Sequence, residues 1–255
     1  MELRSSPHGS KPLGSADPKS EPCMFLKTLA GIVAALALAA CGPAGRDKIV
    51  NVEGDAFMGP QDAKVTVIEY GSPTCPGCKY WHDTFLGEMK RDYVDTGKIK
   101  FIFREYAIHG AIDAGIFSVA RCAGTEDYFA VLDEAFARQR DIVMASQKGD
   151  SIPALKSLGE KFKLSGAQVD ACLTDKQNVQ RVNDVGAYAR QIGVESTPTF
   201  FVNGVEISAS DLSQQWSAMK VAIDAALSGQ PVAPTPITPP ADATAPHDHV
   251  PGEQH

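Results

Sequence analysis

Val65-Thr66-Val67-Ile68 is a β-branched, nearly continuous apolar run, and it predicts a buried strand reaching Tyr70. Trp81, Phe85 and Met89 follow at four-residue steps, which puts them on the core side of a helix. Between residues 98 and 106, Ile99, Phe101 and Phe103 alternate with Lys100, Ile102 and Arg104, the period of a second strand. From residue 108 to 192 the period is helical. Ile112, Ile116, Val119 and Ala123 form one apolar face, stopped by Gly124. Tyr128, Leu132 and Phe136 form a second, and Leu155, Leu158 and Phe162 a third. Ser165 and Gln168 predict a capping box ahead of Val169, Cys172 and Leu173. Val179, Val182, Val185, Ala189 and Ile192 make the last long face, ended by Gly193. Strand pattern then returns at Thr199–Val202, and Asn203-Gly204 is a two-residue hairpin signal leading into Val205–Ile207. Ser210 or Asp211 caps a closing helix with Leu212, Trp216, Met219 and Ile223 inward, and Gly229 ends it.

The two ends of the chain carry a different signal. Residues 1–23 are rich in Ser, Pro, Gly and Lys and cannot form a core. Residues 24–40 begin Met24-Phe25-Leu26-Lys27, continue as an apolar run and end in small residues, the pattern of a secretory signal. The run is too short to span a bilayer comfortably. A signal normally starts a chain, which favours Met24 over Met1 as the natural start. Residues 41–53 read as a linker, and the Gly-, Asp- and Pro-containing linker stretch from 42 to about 63 leaves room for one short strand. Residues 230–255 are a Pro-, Ala- and Thr-rich tail. His247, His249 and His255 in that tail can bind metal weakly, but a solvated tail is the simpler reading.

Composition narrows the class without choosing a function. The 255 residues are 44% hydrophobic, enough for a sizeable core, and carry a formal charge of −7 with no basic stripe, so nucleic acid is not expected as a partner. A secretory signal followed by five of the six cysteines places the mature chain where disulfides persist.

The chemistry is concentrated in Cys75-Pro76-Gly77-Cys78, between the first strand and the first helix. A thiol at a helix N-terminus meets unpaired N–H groups and the positive end of the dipole, and both favour the reactive thiolate. Pro76 suits the first helical position. A lone CxxC is also half of a zinc site, but no second closely spaced Cys or His pair accompanies it, so no metal is expected. His82 reads as a surface or packing residue on the helix.

The order strand, Cys-Pro-Gly-Cys, helix, strand, helical block, Thr197-Pro198, hairpin, helix resembles the DsbA-like branch of the thioredoxin superfamily. The resemblance implies an α/β, thioredoxin-like fold with a helical insertion domain. The thioredoxin-like part would be discontinuous, at 54–107 and 194–229, with the insertion at 108–193. It implies a cis bond before Pro198, facing the disulfide, with Thr197 offering backbone groups to a substrate strand; an ordinary trans proline opening an edge strand is the alternative. It implies that Glu69 is the buried acid that exchanges a proton with the resolving thiol; an exposed Glu69 is the alternative. Leu38-Ala39-Ala40-Cys41 resembles a lipobox, which implies a bacterial lipoprotein lipidated at Cys41; ordinary cleavage near Ala40 is the alternative.

With Cys41 lipidated and Cys75 and Cys78 as the redox pair, Cys122 and Cys172 remain in the mature chain. They form a structural disulfide, as in some DsbA-like proteins, or stay reduced. Closing that loop would stabilise by about 4 kcal/mol. The implied function is a periplasmic or extracytoplasmic thiol:disulfide oxidoreductase. It would introduce disulfides into exported proteins, be reoxidised by a membrane partner of DsbB type, and need no cofactor. Reductase or isomerase action in the same fold is the near alternative, and a copper-binding lipoprotein using the same two thiolates the distant one. One departure bears on direction. Gly77 stands where the best-known DsbA proteins have histidine, which removes a cationic contribution to thiolate stability.

Overall fold

The computed structural model describes residues 54–234. The signal segment, Cys41 and most of the Pro-rich tail, with its histidines, lie outside them.

The core is a five-stranded mixed sheet in the order β1-β3-β2-β4-β5. Its strands are β1 (Ala56–Met58), β2 (Val65–Gly71), β3 (Ile99–Glu105), β4 (Thr199–Val202) and β5 (Val205–Ile207). β2 and β3 run parallel, joined by a helical crossover, while β1 pairs with β3, β4 with β2, and β5 with β4, all antiparallel. β1 is the short strand for which the linker left room. Both faces of the sheet are covered, which is why β2 and β3 read as nearly continuous apolar runs. Val65, Val67, Phe101, Phe103 and Phe200 pack on one side against Trp81 and the helical layer. Ile68, Tyr70, Ile102 and Phe201 pack on the other against Val185 and Ala189. The two-residue period of β2 therefore puts Glu69 on the Val67 side, facing the crossover helix.

That helix opens as α1 (Pro76–Trp81), widens into a π-helical turn at His82–Leu86, passes through α2 (Gly87–Met89) and closes with a second π-helical turn, Lys90–Val94. The helical block between β3 and β4 comprises α3 (Ala111–Ala123), α4 (Tyr128–Ala137), α5 (Gln139–Gln147), α6 (Ser151–Glu160), α7 (Gly166–Leu173) and α8 (Lys176–Gln191). The Ser165–Gln168 capping box is formed. α9 (Leu212–Leu227) closes the fold and is capped by Asp211, whose carboxylate accepts from Ser213 and Gln214 N–H. This is the thioredoxin-like arrangement with a helical insertion.

Two expectations change. Val179 is 46% exposed. The buried stripe of α8 starts instead at Arg181, whose guanidinium is anchored to Asp55 and Glu105. α5 stands as a separate helix that buries only Gln139 and Ile142, too little apolar surface to mark it in the sequence.

Cys122 on α3 and Cys172 on α7 are joined in a disulfide, with Cα atoms 6.1 Å apart. A charged cluster ties the insertion to the sheet. Buried Glu105, at the end of β3, takes Arg121 of α3, Arg181 of α8 (3.0 Å) and the Tyr128 hydroxyl of α4 (3.1 Å). Asp55, just ahead of β1, takes Arg181 and Arg104, the latter at 2.8 Å.

Candidate active site

Cys75 ends the turn after β2 and sits at the N-cap of α1, with extended backbone (φ −78°, ψ 123°) and Pro76 in the first turn. No side chain caps this helix, so its first N–H groups are left for the sulfur. Cys75 is 8% exposed and Cys78, one turn in, is fully buried; both are reduced. The Cys75 thiol drops from the ordinary thiol range to about 5. The main cause is the hydrogen bond from the Cys78 thiol, followed, against the cost of burial, by Thr197 and the backbone N–H groups of Cys78 and Gly77. Burial, the adjacent Cys75 sulfur and the Glu69 charge push Cys78 the other way, well above the ordinary range. One thiol is thus ionised at neutral pH and the other is not.

The Thr197–Pro198 peptide is cis. It brings the Thr197 carbonyl to 3.2 Å from the Cys75 sulfur. Gly77 has a role here that the sequence did not disclose. A Cβ at this position would lie 3.2 Å from the Pro198 ring and 3.6 Å from the Thr197 carbonyl. The missing side chain spares the proline ring a tight contact beside the dithiol. Beside it runs a polar groove of about 400 Å³, lined by Ser196, Thr197, Pro198, Glu206, Asp211 and Gln215 among others.

Glu69 is fully buried beneath the pair, and neither of its carboxylate oxygens is hydrogen-bonded. Desolvation raises its pKa, although His82 works in the opposite direction. His82 is therefore not a surface residue. It is 9% exposed, with Nε2 3.7 Å from the Glu69 carboxylate and its ring 4.1 Å from that of Phe136.

Two further side chains hold the loop and went unnoticed in the sequence. Buried Asp113, in the first turn of α3, accepts from the Ser72 hydroxyl (2.9 Å), the Thr74 hydroxyl (2.7 Å) and the His109 N–H (3.0 Å). Gln139, at the start of α5, donates Nε2–H to the carbonyls of Pro73 (2.8 Å) and Cys75 (2.9 Å). An acid in a first turn and a lone glutamine carry no periodic signal, so nothing in the sequence marks these partners. Gln139→Leu leaves the buried Pro73 carbonyl without its donor and the Cys75 carbonyl with the Lys79 N–H alone. It is expected to cost about 1–3 kcal/mol in urea unfolding.

Cys75, Cys78, Glu69, Thr197 and Pro198 thus lie together, with Pro76 and Gly77 between the cysteines. Cys122 and Cys172 lie in the helical block and do not join them. Among the described residues no group of three or more His, Cys, Asp or Glu is placed to hold a metal ion. Nor, among them, is any helix long and apolar enough to cross a membrane.

Residues 51–225 match a protein-family model described as thioredoxin. The chain is 33% identical over 177 residues to a putative protein-disulfide oxidoreductase of Rickettsia bellii, covering 68% of this chain and 66% of that protein. Against a second putative protein-disulfide oxidoreductase, from Rickettsia conorii, it covers 62% of the relative, so it spans slightly less than two thirds of these proteins. It is 35% identical over 157 residues to disulfide bond formation protein D of Bacillus subtilis, covering 60% of this chain and 69% of the relative. In fold it is similar to oxidised BdbD from Bacillus subtilis, with a TM-score of 0.61 at 22% identity over 70% of this chain and 95% of the other. It is also similar to alpha-DsbA1 of Wolbachia pipientis, with a TM-score of 0.60 at 22% identity over 72% and 96%.

Proposed function

The chain belongs to the thioredoxin family, and we propose that it is an extracytoplasmic thiol:disulfide oxidoreductase of DsbA type that oxidises exported proteins. One observation carries this reading: a Cys75 thiol lowered to about 5 stands over a protonated, buried Cys78 and against the cis-proline loop. The names of the Rickettsia and Bacillus relatives agree with it.

In the proposed cycle the Cys75–Cys78 disulfide is the oxidant. A substrate thiolate attacks Cys75, the Cys75–Cys78 bond breaks, and Cys78 leaves and takes up a proton. A second substrate thiolate attacks the substrate sulfur of the mixed disulfide, and Cys75 leaves as a thiolate. The substrate has lost two electrons and the dithiol has gained them. The acidity of Cys75 favours its departure, which drives the transfer toward the substrate. Thr197 and Pro198 would align the substrate chain along the groove, and Glu69 would manage the Cys78 proton. Cys122–Cys172 would stay a structural bridge. A membrane partner of DsbB type would reoxidise the pair, and a lipid on Cys41 would hold the enzyme beside it.

The test is oxidative refolding. Oxidised protein mixed with reduced, unfolded ribonuclease is expected to restore ribonuclease activity stoichiometrically, and Cys75→Ser protein to restore none. Equal recovery with both proteins would sink the proposal.

A further inference from the structure

Cys78 gains a proton whenever the disulfide opens and loses one whenever it forms. Yet Cys78 and Glu69 are both fully buried. A proton reaching Glu69 from Cys78 needs a way out. The structure holds one continuation. His82 Nε2 lies 3.7 Å from Glu69 Oε2, and its Nδ1 lies 3.9 Å from Asp133 Oδ1. Asp133 stands on α4 with a side chain 57% exposed. The two Glu69 oxygens and His82 Nε2 are all without hydrogen-bond partners. Buried polar atoms left this way cost free energy, and such orphans mark sites of chemistry or strain. The two gaps exceed the long end of an N–H···O hydrogen bond by about 0.5 and 0.7 Å, which the Glu69 and Asp133 carboxylates must close for a proton to pass.

Phe136 of α4 and Phe103 of β3 pack on the ring and fix its plane. Of the charged groups around it, Glu69 approaches from β2 and Asp133 from α4. On its own helical segment, Lys79 and Asp83 are paired with each other at 2.8 Å. The imidazole therefore stands between one buried and one solvated carboxylate.

We infer that His82 is a positioning residue that links buried Glu69 to solvent through Asp133, carrying the proton that Cys78 gains or loses. When Cys78 attacks a mixed disulfide, its S–H proton passes to the Glu69 carboxylate and its sulfur bonds Cys75. The departing thiol leaves as a thiolate. Glu69 then returns its proton to His82 Nε2, and Nδ1–H releases one to Asp133 or water. Opening the disulfide runs the same path inward. The inference rests on the oxidoreductase reading but not on its direction, because either direction moves this proton.

The experiment is rapid-quench oxidation of the reduced protein by oxidised glutathione, with mass analysis separating dithiol, mixed disulfide and internal disulfide. The glutathione-dependent first step reports Cys75. The plateau rate of the second step reports Cys78. In His82→Gln the plateau is expected to fall at pH 7 by at least about tenfold, below the usual contribution of positioned proton transfer because one link is removed. Its pH profile should flatten while the first step is unchanged. Glu69→Gln should slow the plateau, and the double variant should be no slower than Glu69→Gln alone. In the wild-type protein the plateau should depend on the deuterium fraction of the solvent along a curve, as for several protons in transit. That measurement tests for a multi-proton path without any variant, and the His82→Gln plateau assigns the path to His82. An unchanged His82→Gln plateau, a uniform slowing of both steps at every pH, or a linear deuterium dependence overturns the inference. A wild-type protein that forms no internal disulfide at all overturns the oxidoreductase reading instead.

Discussion

Iodoacetamide is expected to modify Cys75 of the reduced protein along a titration curve centred near pH 5, and to spare Cys78 through the whole neutral range. At pH 6 an ordinary thiol is about one part in a thousand thiolate, whereas Cys75 is about nine tenths ionised. Its lower basicity weakens each thiolate by about 40- to 100-fold on the usual Brønsted slope, so the net gain at pH 6 is about tenfold. The shape of the curve is the sharper readout. A modification rate still rising steeply at pH 8 would mean that neither the helix terminus nor Cys78 lowers this thiol.

The same shift is a statement about stability. The folded pKa of Cys75 lies below its unfolded value, so the ionised form stabilises the reduced fold. That contribution is complete above the unfolded value, near 9, and disappears as pH falls through about 5. At pH 7 it is worth about 3 kcal/mol, because two units of the difference are then in play. Only the reduced form gains it. The disulfide is made more oxidising by about 60 mV as a result.

Glu105→Gln is expected to lower the unfolding free energy by about 3–5 kcal/mol, read as a fall in the urea midpoint at unchanged slope. Glu105 is fully buried and holds Arg121, Arg181 and the Tyr128 hydroxyl. With its charge gone, Arg121 and Arg181 both lose a buried anionic partner. The cost is that of weakened charge compensation in a buried cluster rather than of one lost contact. A change under about 1 kcal/mol would mean that water already reaches the cluster. The loss would also be felt at the site, since α3 and α5, which supply Asp113 and Gln139, belong to the layer this cluster holds down.

What the sequence made legible was local. The β-branched run of β2, the CxxC between strand and helix, and the Asn203-Gly204 hairpin are short-range patterns with single physical causes. So is the Ser165–Gln168 cap. The arrangement around the dithiol is long-range, and there the pattern fell short. His82 lies next to the Trp81–Phe85–Met89 stripe, and the pattern leaves it as either a surface or a packing residue. The helix widens into a π-helical turn at that point, and α4 packs over it, so the residue beside the stripe is buried as well. Gln139 and Asp113 act on carbonyls and hydroxyls far away in the chain, which no periodicity announces. Nothing in the sequence separates Arg121 and Arg181 from the solvated charges of any helix, because their buried partners Glu105 and Asp55 come from distant elements. Gly77 looked only like a missing histidine. A Cβ there would crowd the Pro198 ring, a long-range neighbour that the sequence does not show.

The reduction potential of the Cys75–Cys78 pair, measured by equilibration with glutathione between pH 6 and 8, tests the central claim most directly. Cys75 is more acidic than the active thiol of thioredoxin, which titrates near 7. At pH 7 the potential should therefore lie at least about 50 mV above the thioredoxin value of about −270 mV. With one proton taken up per two electrons, it should fall by about 30 mV per pH unit. A potential at or below thioredoxin's, falling by about 59 mV per unit as two protons require, would contradict the account.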